Sequence, residues 1–177
     1  SLAIRRITET GFPTFNSGLM YTRDLFVHYY LALLRILFRL DENNLRIGVV
    51  IFGILIIIVL YFFSKFIYGK RVGLLSALII SLLTFEITWS RQIRFYMMLE
   101  FFSLLSLFIF LVFLKNKFDK KRLILFLILF LITLFTNFQG IILVIPLILF
   151  LYLEKNKKEL FNVLIKNKFL LFIFICF

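Results

Sequence analysis

The chain has 177 residues, 63% of them hydrophobic and 26 of them phenylalanine, with a mean hydropathy of +1.06. Soluble domains hold about 45–50% apolar residues, so this composition excludes a water-soluble globular protein and indicates an integral membrane protein. The net charge of +12 comes from lysines and arginines between the apolar runs, which we interpret as membrane topology, with no nucleic-acid partner expected.

Residues 1–46 are the first predicted unit, an external segment before the first membrane span. Gly11, Pro13 and Gly18 mark its beginning as loop. Apolar residues then recur at helical spacing: Leu25, Tyr29, Ala32, Ile36 and Leu40. This pattern predicts an amphipathic juxtamembrane helix that lies along the membrane surface. His28 is the single histidine, and we expect it to pack at the interface rather than to bind a metal.

Residues 47–177 are the second predicted unit, a transmembrane bundle. A span takes about 20 mainly apolar residues, and continuous apolar runs exclude a membrane barrel, whose strands alternate. The runs cover residues 47–63, 72–90, 95–114, 123–138 and 140–153, and 169–177 begins another. The expected fold is therefore all-α, a polytopic helix bundle of about five spans plus a truncated sixth. Because that last run is short and Ser1 is not Met, we expect a piece of a longer protein.

Lysine and arginine are distributed differently along the chain. All eleven lysines fall in residues 64–71, 115–122 and 154–168, which the positive-inside rule places in the cytoplasm. Residues 1–46, 90–95 and 137–140 then lie outside, with eight of the ten arginines: Arg5, Arg6, Arg23, Arg35, Arg39, Arg46, Arg91 and Arg94. Guanidinium groups suit phosphate, so the outer face is predicted to hold an anion. Pairing with outer carboxylates, or with lipid headgroups, is the alternative.

The segment "SRQIR" carries Arg91 and Arg94 between two predicted spans. If the turn is helical there, both side chains project to one side. Ionisable groups at membrane depth usually face a cavity or a partner, and Tyr96 adds a hydrogen-bond donor. We therefore predict that the pair binds the phosphate of a lipid. A purely structural network of Glu86, the arginines and Glu100 is the alternative.

The chain carries "TETGFP", the predicted outer helix, "YGKRVGLLSAL" and "SRQIRFY" in this order. Through this ordered series, over about residues 4–114, it resembles the GT-C class of membrane glycosyltransferases. Its nearest groups are the dolichyl-phosphate-mannose protein mannosyltransferases and the aminoarabinose transferases. "FTNFQG" holds Asn137 where such proteins often carry histidine, so a histidine-dependent role at that hairpin is not expected.

The resemblance implies transfer of a sugar from a polyprenyl-phosphate lipid to an external protein, lipid or glycan, usually with inversion. A carboxylate general base takes the acceptor's proton, while arginines stabilise the leaving phosphate. The family's acidic pair should precede Ser1, so no residue of this chain is assigned as catalytic, and Glu9 comes too late to match. The residues assigned to the donor phosphate are Arg91, Arg94 and Tyr96, with Tyr21 and Arg23 as second-rank contacts.

No metal site or cofactor is assigned, and a divalent metal is not indicated. Cys176 is the single cysteine, so the chain cannot build a disulfide or a thiolate zinc site. The alternative function is a lipid-linked oligosaccharide flippase or O-antigen polymerase, and a transporter ranks last because Pro146 is the single mid-span proline. The expected location is the bilayer of a prokaryotic cell membrane, with an extracytoplasmic site.

Overall fold

The computed structural model describes residues 2–14, 17, 19–20, 24–39, 41, 44–115 and 119–153. Within these ranges no strand forms, and a single isolated bridge joins Thr14 and Met20. The helices are α1 (Leu2–Thr10), α2 (Leu25–Phe38), α3 (Arg46–Tyr68), α4 (Lys70–Leu82), α5 (Thr84–Ser90), α6 (Tyr96–Lys115), α7 (Lys120–Thr136), a 3₁₀ helix (Phe138–Leu143) and α8 (Val144–Leu153). The predicted all-α fold class is confirmed.

Two of the described helices are long and apolar enough to cross a bilayer, α3 and α6, with mean hydropathies of 2.9 and 2.5. Helices α4 and α5 qualify only together, because a 61° bend separates them. Leu83 at this bend has an extended backbone with φ −66° and ψ 118°. The predicted run 72–90 is thus a broken span or a re-entrant loop. Run 169–177 lies outside the described residues, and the number of spans stays a prediction.

The helix ends separate the described lysines from most of the described arginines, with Arg71 and Arg122 on the lysine side. Helix α3 ends and α4 begins around Gly69, and α6 ends near the same place, because Lys115 Nζ donates to the Phe66 carbonyl oxygen at 3.4 Å. We call this the lysine end. The opposite end, which we call the arginine end, holds the first residues of α3 and α6 and the last residues of α5 and α7. Segments 90–95 and 137–140 thus share one end of the bundle, as the alternation of charges along the chain predicts.

Helices α1 and α2 lie at the arginine end. Helix α1 was not predicted; its side chains Ile4 and Ile7 are buried, and the Gly11 N–H donates to the Ile7 carbonyl oxygen at 2.9 Å. Helix α2 confirms that a helix forms here, and its outer position stays a prediction; the predicted stripe does not share one environment. Ala32 is buried, whereas Tyr29 and Ile36 are exposed. Apolar side chains thus occur on both faces of α2.

Two apolar clusters form the interior. The first lies at the arginine end and joins α1, α2, α3 and α6: Ile4, Ile7, Val27, Leu31, Ala32, Leu45, Val49, Phe52, Ile56, Met97 and Met98. The second joins α6, α7, the 3₁₀ helix and α8: Phe110, Phe113, Leu123, Phe126, Phe130, Leu143 and Leu147. The first cluster holds the starts of α3 and α6 side by side, and so positions the segment between α5 and α6.

Candidate anion-binding site

The segment that joins α5 to α6 is a turn. Helix α5 ends at Ser90 and α6 begins at Tyr96, and the N–H of Arg94 donates to the carbonyl oxygen of Gln92 at 2.9 Å. A bond over two residues is typical of a tight γ-type turn. The premise of a helical turn at Arg91 and Arg94 is therefore wrong, and the two side chains come together by another geometry.

Both arginines line one open hollow of about 520 Å³, which we call the arginine cleft. Its lining residues are Arg46, Ile87, Thr88, Arg91, Gln92, Ile93 and Arg94. Arg46 is the first residue of α3 and brings a third exposed guanidinium to the cleft. The sequence placed Arg46 outside but gave no reason to join it to the pair. The available signal was its position at the start of a span.

No carboxylate of the residues that the structure describes is paired with the three guanidinium groups. Among the residues that the structure describes, none of Arg46, Arg91 and Arg94 has a side-chain hydrogen bond or an ion pair. Glu86 and Glu100 lie beside each other instead, and no ion pair joins either of them to Arg91 or Arg94 within the described residues, so the alternative network of glutamates and arginines does not form there. Three exposed cations around one hollow create a positive potential that suits an anion.

The other predicted donor-phosphate residues are placed differently. The ring of Tyr96 lies 4.3 Å from the ring of Trp89 and 4.3 Å from that of Phe95, measured between centroids. Tyr96 is thus beside the cleft, in an aromatic cluster, and is not among the lining residues. Tyr21 and Arg23 lie outside the described residues. The assignment of all five residues to a phosphate stays a prediction.

A second hollow, of about 310 Å³, adjoins the cleft, and we call it the Asp24 hollow. Its lining residues are Ile4, Asp24, Val27, His28, Leu31, Ile93, Arg94 and Phe95. Ile93 and Arg94 line both hollows. The Asp24 carboxylate accepts from the side-chain amide of Asn137 at 2.6 Å, and His28 Nδ1 lies 2.9 Å from the Asp24 carbonyl oxygen. Sequence reasoning did not single out Asp24.

On its other side the cleft adjoins a smaller groove between α3, α4 and α5, of about 120 Å³, which we call the apolar groove. Its lining residues are Val50, Gly53, Ile54, Ile56, Ile57, Ile80, Ser81, Glu86, Ile87 and Ser90. Ile87 lines both the groove and the cleft. A cationic hollow thus borders a mostly aliphatic surface on α3, which can cross a membrane, and on the bent pair of α4 and α5.

The family model for dolichyl-phosphate-mannose-protein mannosyltransferases matches residues 23–177, most of the chain. The chain belongs to this family. The predicted resemblance is confirmed, and the protein is a membrane glycosyltransferase of the mannosyltransferase type. No curated protein and no solved structure matches the chain.

The mannosyltransferase match covers the candidate site. Asp24, Arg46, Arg91 and Arg94 all lie within the matched residues, whereas α1, which closes the Asp24 hollow through Ile4, precedes them. In the described part of the chain, no group of three or more His, Cys, Asp or Glu side chains could hold a metal ion. The residues that line the cleft and the Asp24 hollow offer guanidinium groups, the Asp24 carboxylate, the His28 imidazole, the Gln92 amide and the Thr88 hydroxyl.

Proposed function

We propose that this mannosyltransferase-family protein transfers a sugar from a polyprenyl-phosphate donor to a hydroxyl group of an external acceptor. One observation carries the proposal: the arginine cleft adjoins the apolar groove at Ile87. A lipid phosphate needs cationic donors for its head and an aliphatic surface for the first part of its tail. A soluble nucleotide sugar would not need the second feature.

The leaving group explains why arginines are suited to this cleft. In the proposed reaction the acceptor oxygen attacks the anomeric carbon, and the bond from that carbon to the phosphate oxygen breaks. The electron pair stays on the phosphate, whose negative charge grows in the transition state. Preorganised guanidinium donors stabilise that charge more than they stabilise the ground state. The proton of the acceptor passes to a carboxylate general base.

The proposed acceptor is a protein hydroxyl, as the family description suggests, with lipid or glycan hydroxyls as the alternatives. The proposed side of reaction is extracytoplasmic. Its support is the separation of the two bundle ends, since Lys65, Lys70, Lys115 and Lys120 all lie near the lysine end. Cytoplasmic segments carry the excess of lysine and arginine near spans, and the arginine cleft is at the opposite end.

A transfer assay with purified protein in lipid discs tests the proposed reaction. Radiolabelled polyprenyl-phosphate mannose and the corresponding nucleotide sugar are offered separately with a panel of serine- and threonine-containing peptides, lipids and glycans. We expect label to reach an acceptor from the lipid-linked donor and not from the nucleotide sugar. Transfer from the nucleotide sugar, or movement of a lipid-linked oligosaccharide across vesicles without transfer, would contradict the proposal.

A further inference from the structure

Arg94 stands at the boundary of two hollows, and a donor lipid has two polar parts. The arginine cleft and the Asp24 hollow share Ile93 and Arg94. In a polyprenyl-phosphate sugar the phosphate is bonded directly to the anomeric carbon. If Arg91 and Arg94 hold the phosphate, the sugar attached to it therefore lies next to Arg94. The cleft adjoins two regions that could receive the rest of the lipid: the apolar groove, which is mostly aliphatic, and the Asp24 hollow, which carries polar groups.

Asp24 has an unusual backbone for its position. It precedes α2 as the N-cap residue, yet its φ of 53° and ψ of 34° lie in the left-handed region, and its side chain makes no cap hydrogen bond. Aspartate at an N-cap ordinarily accepts from the first free N–H groups of the helix. Here the carboxylate accepts from the Asn137 amide at 2.6 Å, 113 residues away in the chain. Non-glycine residues in this region cluster at ligand sites, where the surroundings fix them.

The size and walls of the Asp24 hollow fit one sugar ring. Its volume of about 310 Å³ is at the lower limit of the roughly 300–1,000 Å³ typical of small-molecule sites. Leu31 and Phe95 supply apolar walls, and Asp24 and His28 supply polar atoms at one side. Apolar walls with a few placed polar groups are the usual composition of such sites. Sugar hydroxyls donate well to a carboxylate, which has several acceptor positions.

We propose that the Asp24 hollow binds the sugar of the donor, with Asp24 accepting hydrogen bonds from its hydroxyl groups. Asn137 is a positioning residue, because its amide holds the carboxylate. Arg94 contacts the phosphate from the adjoining cleft. This inference rests on the proposed function, because it assumes a phosphate in the arginine cleft. The inference also identifies what determines specificity. Asp24, held by Asn137, discriminates among sugars, and the arginines do not.

A comparison of two carriers distinguishes recognition of the sugar from recognition of the phosphate. Fluorescent polyprenyl phosphate without sugar, and the same lipid bearing mannose, glucose, galactose or aminoarabinose, are titrated into the protein in lipid discs. We expect the wild-type protein to bind at least one sugar-bearing carrier more tightly than the bare carrier. In Asp24→Asn that preference falls by about tenfold or more, the effect of a hydrogen bond to a charged group, and affinity for the bare carrier stays within about twofold.

Asp24→Asn suits this test because asparagine is among the few residues that adopt the left-handed region readily. Its side-chain oxygen can still accept from Asn137, so the fold of the loop is retained and the charge alone is removed. Asp41→Asn is the matched control, since Asp41 is an exposed acid that lines neither hollow. We expect it to leave both affinities unchanged. Asn137→Ala should reduce the sugar preference less than Asp24→Asn.

Four outcomes refute parts of the scheme separately. A wild-type protein that binds no sugar-bearing carrier better than the bare one overturns the inference. Equal weakening of both carriers in Asp24→Asn also overturns it, because the residue would then serve the phosphate or the fold. A raised KM for the acceptor with unchanged donor binding assigns the hollow to the acceptor instead. Failure of the wild-type protein to bind either carrier refutes the proposed function itself.

Discussion

Among single residues, Arg94 is the charged residue that lines both the arginine cleft and the Asp24 hollow. Its guanidinium group can donate to two oxygens of one phosphate in a planar fork, which an ammonium group cannot reproduce. An exposed arginine without a carboxylate partner in the described part of the structure contributes little to folding. The proposed role of Arg94 is therefore in binding rather than in folding.

Arg94→Ala is expected to reduce kcat for sugar transfer by about 10²–10³-fold, because one preorganised donor to the leaving group is lost. Expression and membrane insertion are expected to be unchanged. The measurement is transfer from polyprenyl-phosphate mannose in detergent-free discs. Arg94→Lys keeps the charge but not the fork, and we expect activity between that of Arg94→Ala and the wild type.

The matched control for Arg94→Ala is Arg5→Ala. Arg5 is an exposed arginine on α1 that is bonded to Glu9 at 2.9 Å and lines neither hollow. Such surface pairs contribute about 0–1 kcal/mol, so its removal is expected to leave transfer within about twofold. Near-normal transfer by Arg94→Ala, at saturating and at low donor, would remove Arg94 from the donor site.

Arg46→Ala is expected to weaken binding of the bare polyprenyl phosphate by about tenfold, because one of the three cations of the cleft is lost. Arg46 is the first residue of α3, at the rim, so the change should appear mainly in the donor KM. Titration of the fluorescent bare carrier measures it. An unchanged affinity at low salt, where electrostatic attraction is strongest, would show that Arg46 does not take part.

Sequence reasoning found part of the candidate site. Arg91 and Arg94 were recognisable because they are three residues apart in an apolar context. Arg46 and Asp24 were not, because their places beside the turn depend on α3 and α2 packing against distant segments. Asp24 and Asn137 are 113 residues apart in the chain, and no local sequence pattern predicts their contact.

At the scale of elements, α3 and α4 form the tightest described hairpin. They are joined through Gly69, whose φ of 92° is one that glycine adopts at no steric cost. A Cβ on Gly73 would lie 2.9 Å from the Tyr61 carbonyl oxygen and 3.2 Å from the Lys65 nitrogen. Small residues let helix backbones approach closely in membranes. At Gly73 an added side chain would collide with backbone atoms of α3, which cannot move aside as a side chain can.

Gly73→Ala is therefore expected to lower the free energy of unfolding by about 1–3 kcal/mol, the usual cost of overpacking. The measurement is the midpoint of thermal unfolding in detergent. Gly53→Ala is the matched control on α3, since its nearest contact is the Ser90 Cβ of α5 at 3.2 Å. There the added methyl meets a side chain, and the gain in helix propensity of about 0.5–1 kcal/mol offsets the contact. Equal loss in both variants would contradict the packing argument.

The elements also show where local pattern fails. The apolar run 72–90 is predicted as one span, but the chain bends by 61° between α4 and α5. The residue at the bend is Leu83, so neither proline nor glycine marks the position in the sequence. The bend sets α5 apart from the line of α4 and brings Ile87 and Thr88 to the arginine cleft. Helix α1 was missed because its nine residues are stabilised by packing on α2 rather than by propensity.

At the scale of the whole molecule, the separation of lysine and arginine ends predicts the orientation in the membrane. Phe138 at the arginine end is 83% exposed and Tyr68 at the lysine end is 72% exposed, so a thiol at either position should react. In a Cys176→Ser background, Phe138→Cys is expected to react with a membrane-impermeant maleimide on intact cells. Tyr68→Cys is expected to react only after the membrane is opened.

Both cysteine variants should react fully in opened membranes, which controls for accessibility. Labelling of Tyr68→Cys on intact cells, with Phe138→Cys protected, would reverse the orientation. The arginine cleft would then face the cytoplasm, and the proposed external acceptor would be wrong even though family membership would stand.

The sequence by itself determined the class of this protein. A mean hydropathy of +1.06, continuous apolar runs and clustered charges require a helical membrane protein. The bilayer core offers no water to the backbone, and a helix satisfies its own backbone hydrogen bonds. The ordered motifs then indicated the glycosyltransferase family. The tertiary structure alone decided which polar groups share a hollow. Arg46, Arg91 and Arg94 meet, and Asn137 reaches Asp24, because apolar packing of α1, α2, α3 and α6 brings together segments that are far apart in the chain.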